Sequence, residues 1–227
     1  MGYQDEAFQQ RERVLLDTAL ALFRDRGWEQ VTVAQVAEAA GIGKGTVYKH
    51  FATKESIYAR LALEFSRRCL SQYRRVVIGD RALVSMREVI RQAFDLMCDN
   101  PIEVQLSLHC ERPEFQERLD AGLRADFGEL EQQYTELFNH FIEVAVSRGE
   151  MAPVSTEALY WGIEAGFHGV MARVAAGGFG AGCNMPDLAR YLDHVADFMI
   201  AGLLGAPAVA ATTARSTSSK DQKEPRS

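Results

Sequence analysis

The sequence predicts an all-α protein of about nine helices, four small elements followed by five longer ones. Apolar residues recur every three or four positions along most of the chain, which is the spacing of one helix face. Glycine and proline stand where these stripes begin or end. No segment carries a convincing strand pattern. The predicted helices cover residues 12–26, 33–40, 44–50, 53 into the 70s, 82–98, 102–110, 113–149, 156–176 and 186–204.

Residues with capping chemistry bound the first four helices. Gly27 ends the first helix, because only glycine takes the left-handed cap conformation without a steric penalty. Thr32 supplies the N-cap oxygen of the second helix, and Gly41 ends it. The hydroxyl of Thr53 is placed to cap the fourth.

The later helices are separated by proline and glycine. Residues 78–80 break the pattern, and Pro101 interrupts it again because the residue before a proline avoids the helical region. Residues 102–110 alternate as a strand does, but their length and helical neighbours favour a short helix. Pro113 is well placed as the first residue of a long helix that closes at Gly149.

Composition excludes several classes of protein. The chain has 227 residues, 47% of them apolar, and a formal net charge of −6, so a globular core can form. No run of about 18 apolar residues predicts a membrane span, and the polar N-terminus predicts no signal peptide. Four scattered cysteines lack the spacing of a zinc site or a disulfide framework. We therefore expect a cytoplasmic protein with no cofactor and no metal site.

Residues 32–54 have the pattern of a helix-turn-helix. Val36 and Ala37 form the buried face of a short helix, Gly41 permits a tight turn, and Val47 is the only large aliphatic residue of the next helix. The other positions of residues 44–50 carry two cations, two hydroxyls, an imidazole and no carboxylate. The second helix of such a motif enters the major groove of DNA.

This segment resembles the TetR/AcrR family of transcriptional regulators. The resemblance covers roughly residues 10–60, and the remainder matches only in helix number and length. It is carried by the Leu15–Phe23 helix ending in Arg26-Gly27-Trp28, by Thr32-Val33, Val36-Ala37 and Ala40-Gly41-Ile42, and above all by Lys44-Gly45-Thr46-Val47-Tyr48-Lys49-His50-Phe51 followed by Lys54-Glu55. The resemblance implies a dimer with a three-helix DNA-binding head and a six-helix effector domain on each subunit.

The domain boundaries follow from this interpretation. We expect a flexible N-terminus over residues 1–8, a helix-turn-helix domain over 9–54, and a ligand-binding and dimerisation domain over 55–205. Residues 206–227 consist of Ala, Thr, Ser, Lys and Pro with little else, and this composition predicts a disordered tail.

The expected DNA-binding residues lie in and beside the motif. The resemblance assigns phosphate contacts to Tyr48 and Lys54, whereas His50 has packing against the next helix as an alternative. Ala34 stands where many family members carry arginine, which leaves one fewer cation at the groove. The full set is Thr32, Gln35, Lys44, Gly45, Thr46, Tyr48, Lys49, His50 and Lys54.

The C-terminal part is expected to hold an effector and a second subunit. Pockets are mostly apolar with a few polar anchors, although plain core packing is the alternative for each aromatic residue. The candidate effector residues are Phe94, Met97, His109, Tyr134, Phe138, Phe167 and His168. The candidate dimer residues, chosen for small-residue spacing and a second apolar helix face, are Trp161, Gly166, Val170, Tyr191 and Phe198.

The leading functional hypothesis is a homodimeric repressor that a small hydrophobic effector releases from a pseudo-palindromic DNA operator. One alternative is a DNA-binding structural or cell-division factor without an inducer, for which no pocket above about 300 Å³ is expected. The other is a thiol hydrolase using Cys110 and His109. No residue is assigned to catalysis, because nothing positions a base or an oxyanion hole.

The acidic total does not exclude DNA as a partner. Residues 1–60 hold eight cations and eight acids, so residues 61–227 carry the whole charge of −6. Residues 39–54 contain three lysines and no acid. The predicted contact with DNA is therefore local and uses few cations per subunit.

Overall fold

The structure is a computed structural model that describes residues 3–153, 155–178 and 187–220, with side chains described except at 3, 4, 158 and 206–220. These residues form helices and no strand, which confirms the all-α prediction. None of their helices is long and apolar enough to cross a membrane. The helices are α1 (Tyr3–Arg26), α2 (Val33–Ala39), α3 (Lys44–His50), α4 (Lys54–Tyr73), α5 (Ala82–Asp99), α6 (Pro101–Cys110), α7 (Pro113–Gln116), α8 (Ala121–Ser147), α9 (Thr156–Ala175) and α10 (Leu188–Lys220).

The first three helices share one apolar core. Helix α1 presents a buried stripe, and α2 packs against both α1 and α3. Isolated helices of seven residues are marginal in water, so α2 and α3 depend on this packing. The buried side chains are Leu15, Leu16, Ala19 and Phe23 of α1, Val36 and Ala37 of α2, Val47 of α3, and the flanking Val31 and Phe51.

The turn between α2 and α3 depends on Gly41. Its φ is +64°, a left-handed conformation that costs other residues about 1–2 kcal/mol. The Gly41 N–H donates to Glu38 O at 3.1 Å, and the Ile42 N–H donates to Ala37 O at 2.9 Å. These two hydrogen bonds satisfy the last carbonyls of α2 and close the helix. The predicted stop at Gly41 is confirmed.

The region after residue 100 has one more helix than expected. Residues 101–110 form α6, which confirms a helix there rather than a strand. The single helix predicted over 113–149 is instead the short α7 and the long α8. The Asp120 carboxylate accepts a hydrogen bond from the Leu123 N–H at 2.9 Å. This side chain caps the first turn of α8 and starts a new helix at that point.

Both ends of the chain are more helical than their composition suggested. Helix α1 begins at Tyr3, and flexibility of the segment over 1–8 stays a prediction. Helix α10 continues to Lys220, and disorder of the tail over 206–227 stays a prediction. Alanine is the best helix former, and an alanine-rich segment can continue a helix without forming a core. Residues 221–227 lie outside the described part of the chain.

The chain divides by packing into two compact units, and neither ends at residue 54. Unit 1 comprises the described residues up to 71, with 96–132 and 171–178. Unit 2 comprises 72–95, the described residues of 133–170, and those from 187 onward. Helices α6 and α7 belong to the same unit as the helix-turn-helix. The predicted boundary at residue 54 is therefore not a boundary between these packing units, and its role as a boundary between two functional domains stays a prediction.

Two glycine substitutions should change stability in opposite directions. Gly41→Ala should lower the free energy of unfolding by about 1–2 kcal/mol, because alanine is strained at positive φ. Gly45→Ala should raise it by about 0.5–1 kcal/mol, because Gly45 lies inside α3 and an added Cβ meets nothing within 4 Å. Urea unfolding followed by circular dichroism measures both. Equal effects of the two substitutions would contradict the role assigned to Gly41.

Candidate nucleic-acid interface

Helix α3 presents its two lysines and Tyr48 on one exposed arc. At 3.6 residues per turn, Lys44, Gly45, Tyr48 and Lys49 fall within an arc of about 140°, and all four are exposed. Val47 lies on the opposite side and is fully buried. Burial of Val47 therefore determines which residues α3 presents to the surroundings.

The exposed arc of α3 is cationic, and at Gly45 it has no side chain that projects from the backbone. Helix α3 contains no acidic residue. The Lys44 ammonium lies 5.9 Å from the centroid of the Tyr48 ring, a cation–π contact that holds the two side chains side by side. No atom lies within 4 Å of a Cβ built at Gly45. The backbone there is open to close approach by a large partner.

Thr32 and Gln35 form a reciprocal capping box at the start of α2. The Gln35 N–H donates to Thr32 Oγ1 at 3.3 Å, and the Thr32 N–H donates to Gln35 Oε1 at 2.8 Å. The Thr32 hydroxyl also donates to Gln35 Oε1 at 3.1 Å. This confirms Thr32 as the N-cap. Contact of either residue with DNA stays a prediction, and the Gln35 amide N–H groups are the donors best placed for it.

Lys54 begins α4 and is tied to the segment that follows α1. Its ammonium donates to the Glu29 carbonyl at 2.9 Å and lies 5.3 Å from the Tyr58 ring centroid. Burial lowers the pKa of Lys54 from its ordinary value, with opposing contributions from Glu55 and Glu29. The Thr53 hydroxyl accepts from the Ser56 N–H at 3.2 Å, so Thr53 caps α4 as predicted. Two ammonium protons of Lys54 remain for a phosphate.

His50 does not face the exposed arc, and its contact with DNA stays a prediction. Its side chain is 1% exposed, and its ring stacks on Phe8 of α1 with centroids 3.9 Å apart. Its Nδ1 lies 4.0 Å from the Glu12 carboxylate without a hydrogen bond. Burial lowers the pKa of His50. The helical spacing already placed His50 beside Val47, away from Lys44 and Lys49.

A buried carboxylate of α6 joins the helix-turn-helix to the rest of unit 1. Glu103 is 1% exposed, and its Oε1 lies 2.6 Å from Arg24 of α1 and 3.7 Å from Arg68 of α4. Its Oε2 has no hydrogen-bond partner among the described residues. A buried charge is costly unless it is paired, so the guanidinium of Arg24 holds the end of α1 against α6. Sequence reasoning missed Glu103, although a lone carboxylate in the apolar run of α6 was a visible signal.

A second set of hydrogen bonds joins the loop after α1 to α6 and the end of α9. The Trp28 indole N–H donates to Gln105 Oε1 at 3.1 Å, and the Gln105 amide donates to Ala175 O at 3.0 Å. The Tyr58 hydroxyl donates to Trp28 O at 2.9 Å. Trp28, Gln105 and His109 line one cleft of about 440 Å³ in unit 1.

The candidate effector residues do not form one site within either unit. Met97 and His109 belong to unit 1, whereas the other five belong to unit 2. In unit 2 the rings of Phe94 and Phe167 lie 5.3 Å apart. The remaining three have separate neighbours: Tyr134 faces Tyr73 at 6.2 Å, Phe138 faces Tyr160 at 5.7 Å, and His168 lies 2.7 Å from the Glu164 carboxylate.

Two of the five candidate dimer residues face their own chain. A Cβ at Gly166 would lie 3.0 Å from Met199 of α10, and Val170 is 2% exposed. Met199 of α10 in the same chain covers Gly166, and the assignment of Gly166 and Val170 to a partner subunit stays a prediction. Trp161 is 55% exposed and Phe198 is 78% exposed, and Tyr191 is half-buried. Large apolar side chains at that exposure suit an interface.

The Cys110 and His109 pair lacks the chemistry of a hydrolase. Cys110 is fully buried, and burial raises the pKa of its thiol well above the ordinary value. The thiolate is the nucleophilic form, so this thiol is a poor nucleophile at neutral pH. Burial also lowers the pKa of His109, whose ring lies 4.7 Å from that of Trp28 and 5.0 Å from that of Phe115.

Known proteins match this chain over the segment that contains the helix-turn-helix. Residues 15–61 match the family described as bacterial regulatory proteins, tetR family. The transcriptional repressor KstR2 of Rhodococcus jostii is 40% identical over 67 residues, which are 30% of this chain and 33% of that protein. The transcriptional repressor AcnR of Corynebacterium glutamicum is 27% identical over 167 residues, which are 72% of this chain and 81% of that protein. The chain spans about a third of the length of the KstR2 relatives that it matches.

Solved structures share the fold over most of the chain. FadR of Bacillus subtilis, solved in complex with stearoyl-CoA, has a TM-score of 0.64 and 19% identity over 84% of this chain and 98% of its own. The TetR-family regulator PfmR of Thermus thermophilus has a TM-score of 0.62 and 17% identity over 84% of this chain and 96% of its own. At this identity the likeness establishes the fold.

The ring of Phe8 should control the titration of His50. We expect the folded pKa of His50 to lie below its ordinary value of about 6.5, because burial disfavours the imidazolium. Phe8→Ala should raise it toward that value by letting water reach the ring. The wild-type protein should also lose stability as the pH falls below about 6.5, because the unfolded chain then binds a proton that folded His50 resists.

Histidine NMR shifts followed against pH measure this pKa. Val14→Ala removes another exposed apolar side chain from α1 and should leave the titration unchanged. An unchanged His50 pKa in Phe8→Ala would contradict the proposed shielding by Phe8.

Proposed function

We propose, from the match of residues 15–61 to the tetR family of bacterial regulators, that this chain is a homodimeric transcriptional repressor that a small hydrophobic effector releases from DNA. The observation that carries this proposal is the acid-free arc of α3, on which Lys44, Tyr48 and Lys49 are exposed while Val47 is buried. A helix of this kind, held by a tight turn against a supporting helix, suits the major groove.

The proposed roles on DNA follow from the chemistry of each side chain. Lys44 and Lys49 provide ammonium groups for phosphates or for guanine edges, and the Tyr48 hydroxyl donates to a phosphate. Gly45 lets the α3 backbone approach the groove. Lys54 and Thr32 lie at the starts of α4 and α2, where phosphates favour helix N-termini. Thr46 is half-buried and reaches the groove only through its hydroxyl.

A dimer is proposed on the exposed residues of α9 and α10. Trp161 and Phe198 present large apolar surfaces to solvent in the single chain, and covering them against a second copy would remove that surface from water. Two-fold symmetry would then place two α3 helices in successive major grooves of a pseudo-palindromic operator. This role places the protein with the DNA, in the cytoplasm.

Helix α6 is the proposed route from the effector to the DNA-binding helices. Arg24 and Trp28, at the end of α1, are bonded to Glu103 and Gln105 of α6. An effector that binds more tightly to a second position of α6 would shift the population toward that state. Since α1 supports α2 and α3, the same shift would reorient the arc of α3.

The hydrophobic class of the effector is supported by relatives and by the chain itself. The related FadR is solved with stearoyl-CoA, and the Phe94–Phe167 pair offers aromatic surface in unit 2. The alternative of a structural DNA-binding factor predicts no pocket above about 300 Å³. Clefts of about 410 and 440 Å³ in the described residues favour a ligand-responsive protein.

Substitutions on the exposed arc should weaken operator binding without unfolding the protein. Lys49→Ala and Tyr48→Phe should each weaken operator binding by at least about tenfold, since a hydrogen bond to a charged group contributes about 1.5–3 kcal/mol. Arg124→Ala, which removes an exposed cation of α8, should change it less than twofold. Fluorescence anisotropy with a duplex selected from a randomised pool measures the affinities. Wild-type affinity in both arc variants would overturn the proposal.

Gly45→Ala separates DNA contact from folding. This substitution is expected to stabilise α3, so a loss of DNA affinity cannot come from unfolding. We expect weaker binding, because the added methyl group holds the backbone away from the groove. Retention of full affinity in Gly45→Ala would contradict close approach at this position.

The salt dependence of operator binding should be modest. Lys44, Lys49 and Lys54 supply three cations per subunit and six per dimer, so the slope of log K against log salt should be about −5. Anisotropy titrations across several salt concentrations give this slope. A slope near −10 would mean that cations outside the helix-turn-helix contribute heavily, contrary to the proposed local contact.

A further inference from the structure

Unit 2 contains a cleft of about 410 Å³ between α8 and the segment that follows α4. One wall is a single stripe of α8 that includes His140, Phe141 and Val144. The other wall carries Arg74 and Ile78, and Arg148 stands just beyond the end of α8. None of the residues expected to bind the effector lines this cleft. Its volume falls in the range that holds small molecules, about 300–1,000 Å³.

Hydrogen bonds at both ends fix the segment that forms the second wall. The Arg148 guanidinium donates to Gly79 O, and the Gly79 N–H donates to the Ser85 hydroxyl at 3.0 Å. The Glu150 carboxylate accepts from the N–H groups of Ala82 and Leu83 at 2.6 and 3.1 Å. At the other end, the Val76 N–H donates to Tyr73 O at 3.1 Å. The segment from residue 74 to the start of α5 is therefore held at both ends, and the cleft is formed before any ligand arrives.

The cleft combines a cationic rim with an apolar floor. Within the described residues, neither Arg74 nor Arg148 forms an ion pair, and Arg148 uses one of its five N–H groups on Gly79. Phe141 is 3% exposed and forms part of the floor with Ile78 and Val144. Guanidinium groups recognise carboxylate and phosphate with paired hydrogen bonds.

We infer that this cleft binds an amphiphilic anion, a carboxylate or phosphate attached to a hydrocarbon chain. The anionic group contacts Arg74 and Arg148, and the chain lies against Phe141, Ile78 and Val144. This ligand would be the effector of the proposed repressor, and that part of the inference rests on the proposed function. The cleft itself is a site in addition to the aromatic pair of Phe94 and Phe167.

Four probes of equal chain length test the inference by titration calorimetry on the full chain, below their micelle concentrations. Dodecanoate and dodecyl phosphate carry the two candidate anions, dodecanol is neutral, and dodecyltrimethylammonium is cationic. We expect one of the anions to bind once per chain, and to bind at least about tenfold more tightly than dodecanol, since a charge-assisted hydrogen bond is lost in the alcohol. The cation should bind most weakly, because the rim repels it.

Matched variants locate the binding. Arg74→Gln should weaken anion binding about tenfold, whereas Arg75→Gln, the neighbouring arginine outside this cleft, should change it less than twofold. Val144→Trp should fill the floor and remove binding of the hydrocarbon chain. Equal affinity for all four probes, or equal effects of Arg74→Gln and Arg75→Gln, would overturn the inference.

Operator binding measured on the same samples separates this inference from the proposed function. If the anion binds in an Arg74-dependent way and lowers DNA affinity, both stand. A protein that binds the anion but no DNA would overturn the proposed function and leave the site in place. A protein that binds DNA but shows no Arg74-dependent anion binding would overturn the inferred site and leave the proposed function in place.

Discussion

Burial of Val47 is the constraint on which the proposed DNA-binding surface depends. Helix α3 has seven residues and one large aliphatic side chain, so its rotation about its own axis is decided by where that side chain packs. With Val47 fully buried, the lysines, Gly45 and Tyr48 have to face outward. The turn at Gly41 brings α3 to this position on α2, and the stripe of α1 provides the core beneath it.

The helix-turn-helix is not packed as an independent body. The buried Glu103 carboxylate of α6 accepts from Arg24 of α1, and Gln105 is bonded to Trp28 in the loop that follows. Polar bonds of this kind are directional, and a buried charge that loses its partner is costly.

Much of the fold could be predicted from the sequence, because the helix-capping and periodicity patterns of neighbouring residues agree with the packing in the structure. The glycine stops, the caps at Thr32 and Thr53 and the inward face of α3 each depend on residues close in sequence. The effector residues were less predictable. An aromatic stripe indicates that a helix face is buried but not whether it is buried against a ligand or against core, and the structure divides the seven candidates between two units. The sequence did not predict the break between α7 and α8 at Asp120, because the helical spacing of apolar residues continues across this break.

The sequence alone determined the helical class, the helix-turn-helix and the cationic character of its second helix, since periodicity, caps and charge are properties of neighbouring residues. Only the tertiary structure decided which of the candidate residues are exposed and which are covered by other parts of the chain. Phe8, 42 residues before His50, stacks on that ring and covers it. Met199 of α10 packs over Gly166 of α9. The Glu103 carboxylate accepts a hydrogen bond from Arg24, which lies 79 positions earlier in the sequence. Contacts between distant residues depend on how helices pack, and helical spacing within one segment carries no information about the partner it will meet.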